Sequence, residues 1–213
     1  AWEAARLGSI DELQLVDSPV APIAQGELLV AVRAIGLNFA DVFCCLGLYE
    51  AANAVLKETG GSFCPGLEFA GEVLAVGSAV SGFSRGDRVF GFSRFGAYRS
   101  VVVSSSAYVR PVPHGWSYEQ AASLLVQGLT AWYGLVPLGA VRRGSRVLIH
   151  SAAGGVGCAA MLICTSLGCE VRHAALPVAL TTCHPRRCGC RSLGSSDPKR
   201  KRTSYELASP PVG

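Results

Sequence analysis

The segment Arg146-Val-Leu-Ile-His-Ser-Ala-Ala-Gly-Gly-Val-Gly-Cys-Ala-Ala-Met-Leu-Ile-Cys-Thr-Ser-Leu-Gly-Cys-Glu-Val171 constrains the fold more than any other part of the chain. Val147, Leu148 and Ile149 form the unbroken apolar run of a strand buried on both faces of a parallel sheet. After them Ala152, Gly154 and Gly157 stand in A-x-G-x-x-G spacing, the fingerprint of a turn that opens a dinucleotide-binding unit. The missing side chain at Gly154 lets the backbone approach a pyrophosphate, Gly157 lets the following helix pack close to the strand, and the helix N-terminus offers free N–H groups to the anion. After Val171 the apolar rhythm stops, and no acidic residue stands where a second strand would end and hold a ribose.

The rest of the chain is rich enough in apolar residues to build a core around this unit. Half of the 213 residues are hydrophobic and 16% are charged, which suits one large domain or two small ones. The formal charge of +4 is uneven: residues 1–171 carry about −2 and residues 172–213 about +6. A basic nucleic-acid surface is therefore not expected of the folded part. No apolar run reads as the roughly 18 residues of a membrane span, and no charged start followed by an apolar stretch marks a secretory signal. The chain begins at Ala1 rather than Met, which leaves its original N-terminus and any targeting segment unread. Nine cysteines without regular spacing argue against a disulfide framework, and buried thiols in a reducing, cytoplasmic compartment are expected.

Upstream of the glycine turn the pattern is β-rich. Glu27–Gly36, Phe69–Gly77, Asp87–Gly91 and Ala97–Val103 read as strands, each bounded by glycine or a turn, and short strands with such turns favour a barrel-like sheet. Helical patterns cover Asp41–Leu48, Glu119–Leu125 and Leu129–Leu135. Ser117 and Gln120 fit a capping box for the second, and Pro137 is expected to help end the third.

Five segments then occur in a telling order: Gly36-Leu-Asn-Phe-Ala-Asp41, Pro65-Gly-Leu-Glu-Phe-Ala-Gly-Glu-Val73, Val76-Gly with Gly82-Phe-Ser-Arg-Gly-Asp-Arg-Val89, Gly128-Leu-Thr-Ala-Trp-Tyr133, and Ala152-Ala-Gly-Gly-Val-Gly157. In this order they resemble the medium-chain dehydrogenase/reductase superfamily, in its zinc-free quinone oxidoreductase (zeta-crystallin-like) and enoyl reductase branch. The resemblance covers residues 1–171. It implies an α/β protein: a β-rich GroES-like domain over 1–125, a partial Rossmann domain over 126–171, and a divergent, basic, irregular tail over 172–213. It also implies NADPH between the two domains, a small quinone or enone as substrate, no nucleic-acid or membrane partner, and a homodimer in many members.

The same resemblance assigns candidate roles. Asn38 and Thr130 would contact the nicotinamide end, Ala153, Gly154, Gly155, Val156 and Gly157 the pyrophosphate, and Tyr49 would donate a proton or hydrogen bond to substrate. Each has a simpler reading: Asn38 as the polar start of a helix, Thr130 as an ordinary helix residue, Tyr49 as a packing residue with a wet hydroxyl. Phe43 stands where several relatives carry a second tyrosine. Zinc-dependent relatives place Cys where Asn38 stands and His where Leu67 stands. A catalytic zinc needs about three protein ligands, so no metal is expected. Asp41 and Glu68 are expected to bond a helix start or turn rather than catalyse, and His150 to pack or bond backbone near the cofactor.

Beyond residue 171 the composition changes abruptly, and five of the eleven prolines lie there. Cys183-His184 and Cys188-Gly-Cys190 lack the spacing of a zinc module, and Pro198-Lys-Arg-Lys-Arg202 reads as a solvated charge cluster that resembles a nuclear-localisation or polyanion-binding run. With one Rossmann strand and the stub of a second, Val147–Ile149 is expected to expose an apolar face and an unpaired edge. Two functions follow from the sequence and the resemblance: an NADPH-dependent quinone or enone reductase, or a catalytically inactive truncated product or non-enzymatic partner-binding domain.

Overall fold

The computed structural model describes the backbone of residues 1–174, 190–193 and 204–207, and the side chains of residues 1–172. The chain divides into two units, Ala1–Val126 and Gln127–Gly213.

The first unit is built on a five-stranded antiparallel sheet. Its strands are β3 (Glu27–Ile35), β4 (Glu68–Val76), β5 (Arg88–Phe92), β6 (Val101–Ser105) and β7 (Val109–Pro111), in the order β6-β3-β4-β5-β7. Alternation decides which residues face inward: Leu28 and Val30 of β3, Phe69 and Val73 of β4, and Val89 of β5 are fully buried. The edge strands add Val102 and Val109 to the same cluster, so the sheet curls around one core. Register shifts at Leu29/Val30 and Val32/Ala34 between β3 and β4 supply the bulges that such curvature needs. A hairpin of β1 (Trp2–Ala4) and β2 (Leu13–Leu15) precedes this sheet, and Trp2 N–H donates to the Tyr98 carbonyl at 2.8 Å.

Three helices complete the unit: α1 (Phe39–Cys45), α2 (Glu50–Glu58) and α3 (Tyr118–Ala122). The Ser117–Gln120 capping box is present, with Gln120 N–H donating to Ser117 Oγ at 3.2 Å and Ser117 N–H to Gln120 Oε1 at 2.9 Å. Helix α1 starts two residues earlier than the apolar pattern suggests, because the Asp41 carboxylate accepts the Asn38 N–H at 2.9 Å and sets the first turn. It also ends earlier, at a turn closed by Gly47 with φ +73°. Helix α2 is absent from the sequence reading. Its Glu-Ala-Ala-Asn-Ala-Val-Leu-Lys-Glu run has good propensity, but Tyr49 in place of a polar cap gives no start signal. The strand expected over Ala97–Val103 begins only at Val101, since a turn linking Arg99 N–H to the Ala97 carbonyl at 2.8 Å occupies its first half.

The second unit contains β8 (Arg146–His150) paired in parallel with β9 (Glu170–Ala174), and α5 (Gly155–Ser166) between them. Helix α4 (Leu125–Tyr133) crosses the division between units and runs on into a π-helical turn, Gly134–Leu138. Pro137 lies inside that turn and does not end α4, a correction to the sequence reading. A second correction concerns span length: Tyr118–Leu138 runs for 21 residues and contains an 18-residue window of mean hydropathy 1.3, long and apolar enough to cross a membrane by length and composition. Ser123, Gln127 and Thr130 interrupt the apolar run. The expected exposure of Val147–Ile149 holds only for Leu148, at 60%. Ile149 is buried with Ala131, Ala152, Ala160 and Cys164, and Val147 packs against that cluster.

Cys190–Leu193 pairs antiparallel with Ser204–Leu207. Cys183, His184, Cys188 and the basic run 198–202 lie outside the described residues.

Candidate active site

In the first unit the site is built around two buried carboxylates. Asp41 accepts three hydrogen bonds: from Asn38 N–H at 2.9 Å, Gly66 N–H at 3.1 Å and Tyr98 O–H at 3.1 Å. Burial nonetheless raises its pKa above the ordinary carboxylate value. With every near donor engaged, it ties the start of α1 to the loop before β4 and to the turn before β6, and this is structural work.

Glu68, the first residue of β4, is fully buried and accepts from Asn38 Nδ2 and from Val126 N–H, each at 2.9 Å. Val126 lies in the first turn of α4, where backbone donors have no helical acceptor, so the carboxylate caps that helix. Burial raises the Glu68 pKa, the hydrogen bonds from Val126, Asn38 and Leu125 oppose this, and the nearby Asp41 charge adds to the rise. The consequence for Asn38 is orientation. Its Nδ2 is committed to Glu68, and as the N-cap of α1, the expected polar helix start, its side chain also faces the Asp41 N–H in a capping box, so Oδ1 keeps one further lone pair on a half-buried side chain. Close approach of the Glu68 carboxylate requires Gly36, since a Cβ there would fall 2.2 Å from Glu68 Oε1.

Asn38 and Tyr49 flank α1, one on each side. Tyr49 is 44% exposed and its ring stacks on Phe43, with centroids 6.4 Å apart and planes 13° apart. Asn53 Nδ2 fixes the intervening turn by donating to the carbonyls of Gly47 and Tyr49. Cys44 and Cys45, the last two residues of α1, are buried and their thiols are shifted up, Cys44 to about 11, which removes them as nucleophiles at neutral pH.

In the second unit Gly154 is the N-cap of α5, and no side chain caps the helix. Ser151, at φ +54°, turns the chain out of β8 and accepts the Gly154 N–H at 2.9 Å. Residues 153–156 are exposed and Gly157 is buried. A Cβ on Gly157 would lie 2.4 Å from the Ser151 carbonyl oxygen, so the helix-to-turn approach requires glycine there. A Cβ on Gly155 would lie 2.0 Å from Gln127 Oε1. Gln127, a residue the sequence reading passed over, therefore packs its amide against the glycine turn, and Thr130 follows one turn later on α4 as an exposed residue. His150, expected to pack or to bond backbone, is the last residue of β8 and is exposed, so it does not pack. Among the described residues no three His, Cys, Asp or Glu side chains converge, and Leu67 is a half-buried hydrocarbon.

Residues 24–114 match the alcohol dehydrogenase GroES-like domain family. The spectinabilin polyketide synthase system protein NorB of Streptomyces orinoci is 44% identical over 172 residues, 80% of this chain and 7% of that protein. Among solved structures, CurK enoyl reductase matches with TM-score 0.76 and 37% identity, over 83% of this chain and 54% of that one. The chain belongs to the medium-chain dehydrogenase/reductase superfamily.

A further superfamily member, the Escherichia coli quinone oxidoreductase solved with NADPH, matches with TM-score 0.71 and 34% identity, over 81% of this chain and 51% of that one. The chain thus spans about half the length of these two solved relatives. The glycine turn of this medium-chain dehydrogenase/reductase chain fits the pyrophosphate of a dinucleotide: the first N–H groups of α5 have no side-chain cap, the first turn carries no acid, and residues 153–156 are open.

Proposed function

We propose that the residues of this chain belong to a zinc-independent oxidoreductase site that uses NADPH to reduce a quinone or an enone. The observation that carries this reading is Asn38, whose Nδ2 is held by a buried carboxylate while its Oδ1, set against the Asp41 N–H at the start of α1, keeps a second lone pair for a ligand donor. A bound nicotinamide coenzyme supplies the hydride; the protein's task is placement. In the first unit Asn38 Oδ1 would serve the nicotinamide end and the Tyr49 hydroxyl the substrate oxygen; in the second, Thr130 would serve the nicotinamide end and the N–H groups of Gly155, Val156 and Gly157 would hold the pyrophosphate. Phe43, stacked on Tyr49, sets the ring plane of that tyrosine without contributing a hydrogen bond of its own. An amide at 38 and a hydrocarbon at 67 support a site that works without zinc. Elemental analysis tests that part, and stoichiometric zinc surviving dialysis overturns it.

Two parallel strands among the described residues leave little wall for an adenosine, so the 213-residue chain by itself is expected to bind NADPH weakly and not to turn over. Weak binding is still readable by nuclear magnetic resonance. Added NADPH should shift the amide signals of residues 153–157, and Gly154→Asp, which places a carboxylate at the anion site, should abolish the shifts. Identical titrations of the two proteins would remove the cofactor assignment. Tight binding with quinone turnover would show that this chain alone completes the site.

A further inference from the structure

The end of α5 closes by two backbone hydrogen bonds in the arrangement of a Schellman motif. Gly168 N–H donates to the Thr165 carbonyl at 3.0 Å, and Cys169 N–H to the Cys164 carbonyl at 2.9 Å, with Gly168 at φ +72°. This motif brings the residue three before the cap against the one two beyond it, normally as an apolar contact. Here both are cysteines. The hydrogen bond between them keeps their α-carbons near enough for the separation of about 4.4–6.8 Å at which disulfides occur. Cys164 is fully buried and its thiol is shifted up by that burial and by the neighbouring Cys169 thiol, while half-buried Cys169 reaches the Arg142 carbonyl at 3.5 Å.

We propose that Cys164 and Cys169 are a redox-active pair that closes to an intramolecular disulfide under an oxidising thiol couple. Cys169, the accessible member, attacks a small-molecule disulfide such as oxidised glutathione, forming a mixed disulfide and releasing one glutathione. Cys164 then attacks the Cys169 sulfur and releases the second. In sum, two protein thiols lose two electrons and two protons, and one oxidised glutathione becomes two reduced molecules. The second step is the slow one, because burial and the neighbouring thiol push Cys164 up to about 11. The bridge would pin the last turn of α5 to the residue that immediately precedes β9.

The test uses the full chain. It is held with oxidised glutathione, alkylated and cut with trypsin, whose Val147–Arg172 peptide contains Cys158, Cys164 and Cys169. The expected peptide is lighter by two hydrogens, is alkylated only at Cys158, and regains two alkylation sites after reduction. In Cys164→Ser, glutathione should remain on Cys169. Retention of glutathione on Cys169 in the unmodified chain, a bridge to Cys158, or full alkylation of all three thiols would each overturn the proposal.

Discussion

The carboxylate of Glu68 and the side-chain amide of Asn38 are joined at 2.9 Å inside the first unit, and the contact exists because residue 36 has no side chain. Asn38 is thereby aimed by a strand residue thirty positions away, through a gap left by a glycine two positions before it.

Gly36→Ala is expected to cost about 2–4 kcal/mol of stability, since its methyl group would overlap Glu68 Cγ and Oε1 and displace a carboxylate with nowhere to go. Urea denaturation measures this. In a double-mutant cycle with Glu68→Ala most of the cost should vanish; additive losses would show that the clash lies elsewhere.

Glu68→Gln tests the charge. Because burial raises the Glu68 pKa in the folded state, its protonated form is favoured there. Stability from this group is present below the unfolded value and is lost as pH rises through the folded one. The wild type should therefore compare best with the variant in acid and lose ground toward neutrality. A stability difference that is flat with pH, or runs the other way, refutes the assignment.

Two glycine substitutions in the dinucleotide turn should separate cleanly. In Gly157→Ala the new methyl group meets the Ser151 carbonyl and Ala152 backbone, which cannot yield, at a cost of about 2–3 kcal/mol. In Gly155→Ala it meets the end of the Gln127 side chain, which can swing away, so the cost should stay below about 1 kcal/mol. Thermal unfolding of both variants decides it.

Tyr98→Phe removes one of three donors to Asp41 and should cost about 1–2 kcal/mol while leaving the two backbone donors in place. A neutral result in urea denaturation would show that the hydroxyl is satisfied as well by water.

The features legible in the sequence are those that short-range chemistry controls. The Ser117–Gln120 box sits within one helical turn, β3 and β4 fall within a residue of their apolar alternation, and the turn around Gly157 needs only its own strand and helix. What was hidden depends on partners far along the chain. Strands β1, β2 and β7 are three residues each and exist through pairing, and Gln127 meets Gly155 only once both are folded. Glu68 shows the boundary well. Expected to bond a helix start or a turn, it caps a helix whose N–H lies 58 residues away. No local pattern encodes that distance.

The bonds from Asp41 to Gly66 and Tyr98 close segments of 25 and 57 residues. Such closures carry an entropic cost that is recovered only after the intervening strands have paired. The cradle that orients Asn38 is thus a late event on the folding route: substitutions at Asp41, Glu68 or Tyr98 should speed unfolding while leaving the refolding rate almost unchanged.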